Sequence, residues 1–369
     1  MSTIGALLGT LGTGAPGPAP GVAGVTDHVI AAKRSAILRY WTVRRMLRAV
    51  TPPERPRHRP PAGPPPVNPL ATADVGSPVG SPLGPAGRRA VAPAVPRAHA
   101  TDTPVPYATG TRDRRTTDTP GRQGAATTDR QAIDAAGGHT VHGAPGSPWI
   151  SSGAVRVTTG KVFFTINGGD YVCSAGTIAG ANRDLVVTAG HCVQDAAGAW
   201  ARNWLYVPGY DQGRRPYGAF TARHLFVPAA WSGRHDENSD VAIVALAAAG
   251  GRHVTDVVGA QTVAFDQPRG AVVYGFGYPT GGHYDGERLA YCSGRTYPDR
   301  HRLTQDQGLR CDMSEGASGG PWLAGFDLVT GRGVVTSVNS FKYSDDPATM
   351  YGPYFDAAVR RVYEQAQHA

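Results

Sequence analysis

The chain has 369 residues and a formal charge of +8, and that charge is unevenly spread. Residues 1–150 hold 17 Lys and Arg against 8 Asp and Glu, with 22 of the 31 prolines; the remainder holds 19 against 20. The high pI therefore does not describe the second part, and no stretch is long and apolar enough to span a bilayer as a helix. In chain order, "MSTIGALLGTLGTGAPGPAP" lacks a charged n-region and is a poor secretory signal. "HVIAAKRSAILRYWTVRRMLRAV" (28–50) has the apolar and basic residues of a short amphipathic helix. It reads as a transient helix or as a membrane-surface or targeting element. Residues 51–145 are rich in Pro, Ala, Gly, Thr and Arg, and "PPERPRHRPPAGPPPVNP" has no period. Such a stretch buries too little apolar surface to offset the entropy of ordering it, so it is predicted to be disordered, with polyproline-like runs. The expected organisation is a Pro/Ala/Arg-rich disordered leader or pro-region over 1–145 and one folded region over 146–369.

From about residue 150, short β-rich runs alternate with Gly, Asn, Asp and Pro breaks: "KVFFTINGGDYVCSAGTIAG", "DLVVTAG", "NWLYVPGY", "DVAIVAL", "GAVVYGFGYP", "GRGVVTSVNSF". There is no βαβ rhythm, so an all-β barrel or sandwich is predicted. A length of about 220 residues suits two small barrels. In the tail, Phe355, Val359, Val362, Tyr363 and Ala366 recur at helical spacing and predict a terminal helix docked on the β structure. All four cysteines (Cys173, Cys192, Cys292, Cys311) lie in this region. An even number in one domain suggests two disulfides and an oxidising compartment, although sequence alone allows three pairings.

"CDMSEGASGGPWL" places glycines two residues before Ser318 and directly after it. Glycine permits unusual backbone angles and close approach of a substrate, as an exposed nucleophile requires. A serine hydroxyl needs a base. "DLVVTAGHC" offers His191 at the end of one apolar strand, and "ENSDVAIVAL" offers Asp240 at the start of another. Ser318 would attack a carbonyl, His191 would carry the proton, and Asp240 would hold the imidazole in the right tautomer. The N–H groups of Gly316 and Ser318 would receive the oxyanion. Asp236 and Glu237 are expected in a solvated loop.

"TAGHC", "SDVAIVAL" and "GASGGP", in the order His, Asp, Ser, resemble the signatures of the chymotrypsin-like (trypsin-type) serine peptidases, and the texture "CSG…CDMSEGASGGPW" resembles the family's secreted bacterial and fungal members. The resemblance covers roughly residues 150–365. It implies an all-β fold of two six-stranded antiparallel barrels with the site between them, and a serine endopeptidase acting through an acyl-enzyme. It implies disulfides Cys173–Cys192, beside the base, and Cys292–Cys311, ahead of the nucleophile loop. Two positions depart from the family's pattern. Ala317 replaces the aspartate that pairs with a newly made N-terminus in digestive members, so that switch is not expected here. Gly190 stands where alanine is common.

Specificity is weakly encoded. Asp312, six residues before Ser318, occupies the offset at which trypsin-like members select Arg or Lys, but the cysteines around it are placed differently. It reads either as a pocket base or as a turn cap. Glu315 reads as a rim residue or a cleft-mouth residue. Ser337, Val338 and Asn339 resemble the strand that binds substrate backbone, and "VTSVNS" lacks the histidine common in glutamate-specific relatives. No HExxH or CxxC spacing points to a metal, and "YGFGYPTGG" lacks a P-loop lysine, so no cofactor is expected. The expected partner is a protein or peptide substrate, on a monomer outside the cytoplasm. The basic leader could contact anionic cell wall or membrane, while nothing indicates specific nucleic-acid binding. A binding or cell-surface protein on a silent protease scaffold is the alternative.

Overall fold

The hairpin "TINGGD" shows how the chain turns into sheet. Asn167 and Gly168 take φ of 50° and 82°, and Ile166 pairs with Gly169 across them. Two consecutive positive φ values make the turn whose twist matches flanking strands, and Asn-Gly is the pair that tolerates it. The structure, a computed structural model, describes residues 24–52 and 143–369. Nearly all of the stretch predicted to be disordered lies outside the described residues. The described residues belong to one compact unit.

The first half contains β1 (Val25–Val29), β2 (Ser147–Pro148), β3 (Thr159–Ile166), β4 (Gly169–Thr177), β5 (Leu185–Thr188), β6 (Arg202–Pro208), β7 (Phe220–Pro228) and β8 (Ala242–Leu246). One sheet runs β1-β7-β6-β3-β4-β5-β8, and a further β7–β8 pairing closes six of its strands into an antiparallel barrel. Side chains alternate across the barrel wall. Val162, Phe164, Ile166, Ala242, Val244 and Leu246 fill one core cluster. Their neighbours Phe163, Ile243 and Ala245 join a second cluster on the other face.

The second half contains β9 (Thr262–Val263), β10 (Val272–Gly277), β11 (Ala290–Arg295), β12 (Tyr297–Pro298), β13 (Gln307–Arg310), β14 (Pro321–Asp327), β15 (Arg332–Val338), β16 (Phe341–Tyr343) and β17 (Asp346–Gly352). With β2, which precedes the first barrel in the chain and pairs with β11, these strands form sheets in the orders β2-β11-β10-β14-β15-β9 and β12-β13-β17-β16. Val273, Leu309, Met313, Trp322 and Met350 pack with Cys292 and Cys311 as its core. The two disulfides join Cys173 to Cys192 and Cys292 to Cys311. The terminal helix (Ala357–Ala366) is capped by Asp356, whose carboxylate accepts from the N–H of Ala358 at 2.8 Å and of Val359 at 3.2 Å. Phe355, Val359, Val362 and Ala366 are buried, as their spacing predicts, and Tyr363 is partly buried.

The front of the chain departs from expectation. Residues 28–50 do not form one amphipathic helix, and residues 24–52 are folded rather than disordered. β1 is followed by two short helices, α1 (Arg34–Tyr40) and α2 (Val43–Met46). The reason is an open sheet edge. β6 pairs with β7 only at Phe220 and Thr221, while β1 takes His224–Pro228. An unpaired edge is a template for another strand and overrides a weak local helical preference.

Candidate active site

The register of the first barrel sets two of the expected residues side by side. Leu185–Thr188 of β5 pair with Ala245–Ala242 of β8, Thr188 facing Ala242. Continuing that register past both strand ends brings residue 190 opposite residue 240. His191 stands in a 3-10 turn (Gly190–Cys192) directly after β5, and Asp240 directly follows another (Glu237–Ser239). The backbone N–H of His191 donates to Asp240 Oδ1 at 2.8 Å, and Nδ1 of its ring lies 2.8 Å from Oδ2. Gly190 has its own reason: a Cβ there would lie 2.9 Å from the Trp231 indole and 3.0 Å from Asp240 Oδ1.

Asp240 is fully buried. Burial alone pushes its carboxyl pKa up. The facing charge of His191, with hydrogen bonds from the His191 ring, the Ser340 hydroxyl and the His191 N–H, more than offsets this and holds it below the usual range. A carboxylate kept ionised this way can only accept, so the ring Nδ1 that faces it is the one that carries the hydrogen.

Ser318 comes from the loop between β13 and β14. Its glycines answer to sterics. Gly316 has φ of 87°, and a Cβ on it would lie 2.7 Å from the Tyr278 carbonyl oxygen. A Cβ on Gly319 would lie 2.5 Å from the Ser174 carbonyl oxygen, and one on Gly320 would lie 1.9 Å from that of Phe276. The loop packs so closely that no side chain fits. Ser174, which sequence reading missed, ties this loop to the first barrel. Its N–H donates to the Ser318 carbonyl at 2.7 Å, and its hydroxyl donates to the Gly316 carbonyl at 2.8 Å. Among the described residues, the N–H groups of Gly316 and Ser318 donate to no protein acceptor.

His191, Gly316, Ser318 and Ser340 line one cavity of about 470 Å³. Phe164, Ile166, Tyr171 and Trp231 give it apolar walls, and Asp195, Glu237, Glu315 and Lys342 add charge. Glu315 is thus at the cleft, and Glu237 joins it instead of lying in a solvated loop. Asp312 does not: it is absent from the lining, is exposed, and accepts a hydrogen bond from the Tyr284 hydroxyl at 2.7 Å. Ser337, Val338 and Asn339 are buried scaffold. The Ser337 hydroxyl donates to the Pro353 carbonyl at 2.8 Å, and Asn339 Nδ2 donates to the carbonyls of Phe276 and Ala317. The segment that reaches the cleft is Ser340–Phe341–Lys342, just beyond the end of β15, because the earlier residues are buried in the interior of the second half. The signal available was a second serine in "SVNSF". Cys173, His191 and Cys192 also lie close together, but both sulfurs are committed to the disulfide, which leaves no thiolate to ligate a metal.

Residues 173–332 match the family model described as a trypsin-like peptidase domain. The protease Anisep from Arthrobacter nicotinovorans is similar, at 38% identity and a TM-score of 0.55, over 58% of this chain and 96% of that one. The thermostable serine protease AL20, from an extremophilic microorganism, is similar at 39% identity and a TM-score of 0.56, over 58% of this chain and 99% of that one. No curated protein matches. With a two-part β fold, a site where the halves meet in one cavity, and relatives matched over nearly their whole length, the chain belongs to the trypsin-like peptidase family.

Proposed function

We propose that this peptidase is a serine endopeptidase working outside the cytoplasm through an acyl-enzyme on Ser318. The observation that carries the reading is the ring of His191, bonded to a fully buried Asp240 and lining the same cavity as Ser318. Ser318 Oγ attacks the carbonyl carbon of the scissile bond while His191 takes the hydroxyl proton. The oxyanion is received by the N–H groups of Gly316 and Ser318. The C–N bond breaks, His191 returns the proton to the departing amine, and an ester to Ser318 remains. Water, deprotonated by His191, attacks the ester and releases the carboxylic acid and the free serine. Two disulfides and no free cysteine among the described residues support an oxidising compartment.

Asp195, Glu237 and Glu315 outnumber Lys342 in the cleft, which supports a preference for basic residues near the scissile bond. That support does not pass through Asp312. The test is fluorophosphonate labelling of the full chain, with Ser318→Ala alongside, followed by a mixed peptide library. Labelling of the parent alone and cuts beside Arg or Lys are expected. A folded, disulfide-bonded parent that does not label would overturn the catalytic reading in favour of a binding scaffold. Cuts indifferent to charge would overturn only the preference.

A further inference from the structure

The catalytic steps above use nothing from the front of the chain, yet residues 24–52 are built into the first barrel. β1 pairs with β7 at five positions, from Val25 with Pro228 to Val29 with His224. The ladder continues at both ends: the Ala229 N–H donates to the Gly24 carbonyl at 2.9 Å, and the Ile30 N–H to the Arg223 carbonyl at 3.0 Å. Beyond the strand the contacts become apolar. Ile37, Trp41 and Met46 are 0%, 1% and 4% exposed. The Trp41 ring packs against Phe163, with centres 5.6 Å apart, and its N–H donates to the Asn203 carbonyl. Then they become ionic: the Tyr40 hydroxyl and Arg45 Nε each donate to the Asp170 carboxylate at 2.6 Å. Finally Val50 bridges the edge of β4, donating to the Asp170 carbonyl at 3.1 Å and accepting from the Val172 N–H at 2.8 Å. Pro52 then lines the cavity that holds Ser318.

These attachments are spread over more than two dozen residues and differ in kind, so no local opening releases them together. All are non-covalent, since none of the four cysteines lies in this segment. The chain joining it to the rest, residues 53–142, contains 11 arginines, so it offers cut sites to any peptidase that favours basic residues. We propose that residues 24–52 are a permanent arm of the enzyme rather than a removable leader. When the connection between residues 53 and 142 is cut, the arm stays seated on β7 and β4. The working enzyme is then a two-chain, non-covalent complex with Pro52 in its cleft wall.

The test uses the full chain with Ser318→Ala, to prevent self-digestion, and a tobacco etch virus protease site inserted after Ala125. After cutting, native mass spectrometry and size exclusion follow the two fragments. The expected result is co-elution at one to one, with separation only in denaturant. Release of the small fragment under native conditions, whether or not the large one stays soluble, overturns the proposal. In the cut protein, Arg45→Ala should speed dissociation of the arm by about tenfold without unfolding either half. An unchanged rate would overturn the assigned Asp170 contact. Because the readout is physical retention, failure here leaves the reading of Ser318 untouched.

Discussion

The two halves are held shut by different means, and the difference decides what each can contribute to the site. The first closes through its own backbone, since β7 and β8 complete a ring of six strands. A closed ladder sets positions to the residue, because a slip by one would turn every side chain to the wrong face. His191 and Asp240 inherit their placement from that register. The second half leaves its strands in two sheets and relies on side chains. Cys292 on β11 is bonded to Cys311, just beyond β13. Asn339 accepts from the Trp322 indole at 2.7 Å and donates to the carbonyls of Phe276 and Ala317 at 2.8 and 2.9 Å. Ser318 therefore sits on a loop that glycines allow and Asn339 and Ser174 aim. The His191–Asp240 pair is a backbone product; Ser318 is positioned by side chains.

The largest expected effect attacks the backbone-set pair. Asp240→Asn keeps the shape but removes the charge and the preferred tautomer, and should lower kcat by about 10⁴-fold. Steady-state hydrolysis of a peptide found in the library checks it, and a loss under tenfold would break the claimed division of labour. The disulfides come next. Each closes a stretch of 19 residues. Replacing either pair by alanines should cost about 3 kcal/mol in denaturant unfolding. Only the Cys173–Cys192 pair, next to His191, should also slow fluorophosphonate labelling strongly.

Asn339→Ala should destabilise the protein by about 2 kcal/mol, because it leaves the buried Trp322 indole N–H unpaired and takes one donor away from each of the Phe276 and Ala317 carbonyls. It should slow labelling by loosening the Ser318 loop, while the ladder of the first barrel keeps its amide protection in hydrogen exchange.

Acid sharpens the comparison further. Asp240 in the first half and Asp299 in the second both have lowered pKa values. For Asp299, burial pushes up, while the Thr304 N–H, the Tyr343 hydroxyl and the His301 N–H more than offset it. A carboxyl lowered in the folded state adds stability that is complete above its unfolded pKa. That stability is lost as pH falls through the folded value. Unfolding free energy should thus decline between about pH 5 and pH 2, and Asp240→Asn and Asp299→Asn should each flatten part of that decline. The smallest effect belongs to Gly190→Ala, whose added methyl crowds Trp231 and Asp240. It should lower kcat/KM by about tenfold and cost about 1 kcal/mol of stability, because buried neighbours must shift to admit it.

How much of this could be read without coordinates depends on the range of each interaction. His191, Asp240, Ser318 and Gly316 stand in short motifs, each beside the strand or glycines that explain it. The terminal helix shows in its 3.6-residue period. Those features are local, so they leave a local pattern. The others do not. Ser340 reaches Asp240 from 100 residues away. Reading the cleft strand as Ser337–Asn339 placed it just short of Ser340–Lys342, because a run of apolar residues does not mark where a strand leaves its sheet. Asp312 sits at a suggestive offset, but it lies outside the cavity lining and accepts from the Tyr284 hydroxyl.

Sequence by itself determined which residues are proposed as base, carboxylate and nucleophile, and that the second part is β. Tertiary structure alone decided the company those residues keep. It seated Ser174 under the Ser318 loop, brought Glu237 to the cleft, and folded an arm from the front of the chain onto β7. The physical reason is that an open strand edge or a buried carboxylate is satisfied by whatever distant segment the fold delivers, and distance along the chain carries no periodic signal.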